Sequence, residues 1–102
     1  MSRFFTVDQA TALLPQIERH LRDALFARNE YQKAADEAEQ ARSAAEQNRA
    51  AVLQAECAAV AARAWKALNR PENAEVRHLE AIRLFSSQGA RRRLEEFDRA
   101  WN

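Results

Sequence analysis

Apolar residues spaced three and four apart dominate the first quarter of the chain: Ala10, Leu13, Leu14, Ile17, Leu21, Ala24 and Leu25 share one face of a helix. The opposite face carries Glu18 with Arg22 and Arg19 with Asp23, pairs four apart and opposite in sign, which marks it as solvent-facing. Thr6-Val7-Asp8-Gln9 fits a capping box, in which the Thr6 hydroxyl accepts from the Gln9 amide while the Gln9 side chain reaches back, and Phe5 staples onto Ala10. The pattern therefore predicts a helix starting at Thr6. Pro15, in the third turn, removes a backbone hydrogen bond and predicts a kink over residues 11–14.

Over residues 34–64 the contrast fades. Alanine recurs among Glu, Gln and Arg, with Val52, Leu53, Cys57 and Val60 as the larger apolar members, so helix propensity is high but the packing surface is thin. No Gly or Pro lies between Pro15 and Pro71. Two arrangements of the long helical region 6–68 compete: one helix of roughly 95 Å, or a hairpin turning near 43–48. Asn69-Arg70-Pro71-Glu72 is a clear boundary, because the residue before proline is driven out of the helical region and Pro71 suits the first turn of a new helix. Val76, Leu79, Ile82 and Phe85 then predict a third helix over 71–87, closed by Gly89 as a left-handed cap. Ala90, Leu94, Phe97 and Trp101 predict a short C-terminal helix over 90–101. No repeat of solenoid length is visible.

Composition sharpens the fold class. With one Gly, two Pro and 23 Ala in 102 residues, the chain lacks the turns an all-β protein requires and has room for one domain. The expectation is a single all-α domain over 1–102: long antiparallel helices, as a hairpin or a dimeric coiled-coil-like bundle, with two short C-terminal helices. The stripe Leu14, Ile17, Leu21, Leu25 and the alanine face with Ala59 and Ala62 call for more partner surface than one such chain offers. A homodimer or higher homo-oligomer follows, with those six residues and Trp65 at its interface; an unidentified protein partner is the other way to cover them.

The segment Phe5-Thr6-Val7-Asp8-Gln9-Ala10-Thr11-Ala12-Leu13-Leu14-Pro15, continued by Ile17 and Leu21, resembles the bacterial domain-of-unknown-function family 2203. Members of that family open with Phe-Thr, then Ala, then Leu-Leu-Pro, and run into a long charged helix. The resemblance rests on the N-terminal segment, implies a long first helix and brings no known activity with it; the family's strand-bearing continuation has no counterpart after Leu68.

Charge and chemistry narrow the function. The chain is 30% charged at a net +1, with no apolar run long enough to cross a membrane and no signal-peptide pattern, and its lone cysteine, Cys57, cannot form an intrachain disulfide. A cytoplasmic protein is expected. Residues 63–102 hold nine basic against six acidic side chains, and residues 1–62 seven against nine. Arg91, Arg92 and Arg93 are thus the candidate nucleic-acid contacts, set against the plainer expectation that the basic end pairs with the acidic stretch Asp36-Glu37-Ala38-Glu39. Glu75-x-x-His78 has the spacing of helical carboxylate metal sites, but a complete site would need a second copy and a further ligand such as Glu30 or Glu18. Phosphate-cradling glycines, zinc spacings and a nucleophile set are missing, so neither an enzyme nor a cofactor is expected. A self-associating structural or regulatory interaction module ranks first, ahead of a nucleic-acid accessory protein and a dimeric metal site.

Overall fold

The computed structural model describes residues 7–22 and 28–101, without the side chains of residues 18–22, 28 and 100. Five helices and no strand make up the described residues: α1 (Val7–Arg22), α2 (Arg28–Gln47), α3 (Ala51–Ala67), α4 (Pro71–Ser87) and α5 (Arg91–Trp101). None is long and apolar enough to cross a membrane. The greatest extent of the molecule is 38 Å, which excludes a 6–68 helix. That region holds three helices instead of one or two. Thr6, with the capping box it anchors, lies outside the described residues; Pro15 stands within α1.

The reversal between α2 and α3 falls at residues 48–50, at the far edge of the 43–48 window. Asn48 Nδ2 donates to the Ala44 carbonyl at 2.8 Å, and Arg49 takes the left-handed conformation at φ 54°. The next two reversals repeat it at intervals of twenty residues, with Asn69 at φ 59° and Gly89 at φ 68°. Each has the same pair of bonds: the left-handed residue donates three back and its successor five back, as in Ala50 to Ala45, Arg70 to Trp65 and Ala90 to Phe85. This periodicity was hidden because three different residue types fill the one position.

Consecutive helices pack on one another, and α3 lies at the centre. One face of α3, with Cys57, Val60, Ala61, Ala64 and Leu68 just past its end, closes a core with Ala10, Leu14 and Ile17 of α1 and Ala34, Ala35, Ala38 and Ala41 of α2. The other, Ala55, Ala58, Ala59 and Ala62, closes a second core with Ala81, Leu84 and Phe85 of α4 and Phe97 of α5. A helix apolar on both sides is a buried helix, which is why the alanine-rich stretch showed no stripe. Leu14, Ile17, Ala59 and Ala62 are therefore covered within one chain, correcting their assignment to contacts between copies. Leu25 and the side chain of Leu21 lie outside the described residues.

Helix α4 is also rotated from the expected stripe. Ala74, Ala81, Leu84 and Phe85 are buried, whereas Val76 and Leu79 are 59% and 55% exposed. The alanine wall of α3 accepts small residues and one large ring, and the arc of α4 that supplies them turns Val76 and Leu79 outward. Leu in place of fully buried Ala62 should overpack this seam and destabilise by about 1–3 kcal/mol in a urea melt, whereas Leu at exposed Ala51 should be close to neutral.

Candidate functional site

Above α3, side chains from α2 and α4 meet in a charge network. Arg77 of α4 grips Glu39 of α2 with two donors, Nε to Oε2 at 2.8 Å and Nη2 to Oε1 at 2.7 Å, and gives Nη1 to Glu80 at 2.8 Å. Arg42 of α2 donates to the other oxygen of Glu80 at 2.8 Å, reaches Glu46 at 3.3 Å and stands 3.9 Å from Glu39, closing a ring of two cations and two anions. From α3 below, Trp65 Nε1 donates to Glu39 at 2.9 Å and Gln54 Nε2 to Glu80 at 2.6 Å. Burial pushes the Glu39 carboxyl up, but the hydrogen bonds from Arg77 and Trp65 and the charges of Arg77 and Arg42 outweigh it and hold the group below its ordinary value. Glu80 behaves likewise: burial raises it, and Gln54, Arg42 and Arg77 bring it lower. Of the acidic stretch on α2, Glu39 thus finds a partner from the basic end in Arg77.

Beside this ring an open groove of about 510 Å³ is lined by Glu39, Trp65, Glu72, Asn73, Val76 and Arg77. Of its charged lining Glu39 and Arg77 are already paired with each other, so what it offers a visitor is the apolar edge of Trp65 and Val76, with Glu72 and Asn73 beside it. Trp65 is half-buried with its N–H on Glu39, so its polar end serves the ring.

Glu75 and His78 lie on α4 and Glu30 in the first turn of α2; among the described residues no three His, Cys, Asp or Glu side chains gather as metal ligands would. His78 joins an aromatic stack instead. Its ring lies 4.2 Å from that of Trp101 and 5.1 Å from that of Phe97, while Lys66 donates to the Trp101 carbonyl and lies over its indole. Half-buried, with its Nδ1 shielded from solvent and without a hydrogen-bond partner among the described residues, His78 has its pKa lowered from 6.5, chiefly by desolvation; Glu75 and Asp98 pull it back up and Lys66 adds to the fall. Since the unfolded chain takes up this proton first, stability present above pH 6.5 should be lost as the pH falls from there toward the folded value. Thermal melts between pH 7 and 5 check this, and His78→Phe should flatten that part of the curve.

The arginine cluster divides. Arg93 is held by Glu56 in a two-donor pair and by Glu96 at 2.9 Å, and this raises its pKa further, while Arg91 and Arg92 are exposed in the first turn of α5, which holds no acidic residue. Sequence reasoning missed the ring, whose partners stand 38 positions apart; its local trace was the Glu39/Arg42/Glu46 and Arg77/Glu80 spacing.

A family model described as uncharacterized conserved protein (DUF2203) matches residues 3–84. The match reaches well beyond the N-terminal segment, taking in the ring and the groove and stopping short of α5. No curated protein and no solved structure matches the chain.

Proposed function

The chain belongs to the DUF2203 family of uncharacterized conserved proteins, and we propose that it acts as a non-catalytic, self-associating interaction module. In this reading consecutive helices run antiparallel as a bundle, which their tight reversals and neighbour-to-neighbour packing support. The observation that carries the proposal is Val76 and Leu79, two large apolar side chains more than half exposed on a helix whose opposite face is well packed. A helix that has already filled its inward arc gains nothing for its own fold from them, and exposed apolar surface beside a groove marks a contact surface. The cytoplasm suits the chain, since its single cysteine, Cys57, is buried and the sequence offers no second one for an intrachain disulfide.

Light scattering on the full chain across micromolar to millimolar concentrations tests the reading: mass should rise with concentration, and a monomer throughout would refute it. Nucleic-acid binding ranks second, on the exposed Arg91 and Arg92. Two exposed guanidiniums would release counterions with a salt slope of only about −2. Weak heparin retention lost at modest salt is therefore the expected behaviour, and retention at high salt would reverse the ranking.

A further inference from the structure

We infer that the occupant of the exposed α4 face is the α4 of a second copy, lying antiparallel about a two-fold axis that passes between Val76 and Leu79. This rests on the self-association proposed above and names its surface.

Glu72, Val76, Leu79 and Arg83 follow one another at steps of four, three and four, which puts them on one stripe of α4. All four are exposed, and among the described residues neither Glu72 nor Arg83 has a partner for its charge. Read forwards the stripe is acidic, apolar, apolar, basic, and read backwards it is the complement of itself. A single two-fold axis midway between Val76 and Leu79 sets Val76 against the second copy's Leu79 and, at the same time, Glu72 against the second copy's Arg83. A parallel pair would oppose Glu72 to Glu72 and Arg83 to Arg83, so charge selects the antiparallel one. This is the self-complementarity that an isologous interface demands. The groove beside Val76, with the indole of Trp65 in its wall, gives the incoming Leu79 an apolar seat.

One helix pair buries less than the ~1,200–2,000 Å² of a standard stable interface, so the dimer is weak and exchanges readily. The full chain is measured by sedimentation equilibrium at low salt as wild type, as Glu72→Arg and as Arg83→Glu, with circular dichroism to show that each variant keeps its helices. Each single reversal sets like charges together at both ends of the stripe and should raise the dimer Kd about tenfold. An equimolar mixture of the two variants restores opposite charges at both ends and should dimerise as tightly as wild type. A wild type that stays monomeric overturns self-association itself. A wild type that dimerises, with variants and mixture indistinguishable from it, overturns the α4 surface and leaves self-association standing.

Discussion

Truncating Phe85 to alanine is expected to cost about 3–5 kcal/mol. Phe85 is 2% exposed, meets Phe97 edge-on at 6.2 Å and lies under the Arg93 guanidinium at 5.9 Å. The buried residues that α3 contributes to its core are all alanines. An alanine wall cannot reach into the space a missing ring leaves, and the backbones of α3 and α4 are kept in place by the ion ring on one side and the reversal at Asn69 on the other. The cavity therefore stays open. Since a domain of this size is stable by ~5–15 kcal/mol in all, a urea melt of Phe85→Ala should show a midpoint far below wild type. A loss under about 1 kcal/mol would mean that the second core is held by something other than this ring.

Arg77→Ala should cost about 2–3 kcal/mol, below the full price of breaking a deeply buried pair because the site keeps some contact with water. The substitution leaves the Glu39 and Glu80 carboxylates, with side chains 26% and 11% exposed, without the cation that stands between them. Arg77→Lys should fall in between, since one ammonium cannot reproduce the two-donor grip on Glu39 while also reaching Glu80. The effect has a pH signature. Both carboxyl groups titrate below their ordinary value of 4.5 in the folded chain, so their contribution is present above pH 4.5 and lost as the pH falls through the folded values. Without Arg77 those values rise toward 4.5, and stability measured between pH 5 and 3 should decline less steeply than in wild type. An Arg77→Ala chain as stable as its parent, with an unchanged acid limb, would reduce the ring to surface decoration.

How legible this was depended on what kind of signal each feature leaves. The α1 stripe of Ala10, Leu14 and Ile17 is visible because a helix with one buried face must alternate, and Pro71 and Gly89 mark the ends of α4 because each residue has a backbone geometry few others share. The break after α2 left no such mark: Arg49 adopts a left-handed φ that a β-carbon disfavours, at a cost offset by the backbone bonds that the reversal makes, Arg49 to Glu46 and Ala50 to Ala45. In α3 both faces are apolar, one all alanine and the other Cys57, Val60, Ala61 and Ala64, so periodicity had little to distinguish, and the need for covering surface was met by helices of the same chain. The rotation of α4 was hidden for the opposite reason. Val76 and Leu79 look like core residues, and only the placement of Arg77 and Glu80 in the ring and of Phe85 against the alanine wall turns them outward. His78, read for its spacing to Glu75, turned out to be decided by Trp101, twenty-three positions away.

Everything functional proposed for this molecule rests on a second copy covering the exposed outer stripe of α4. Amide and methyl chemical shifts recorded while the full chain is diluted from millimolar to micromolar concentration test it most directly. A dimer through α4 gives concentration-dependent shifts at Glu72, Val76, Leu79 and Arg83, with the two cores around Ile17 and Phe85 unmoved. Shifts confined to another face, or none anywhere over that range, would contradict it.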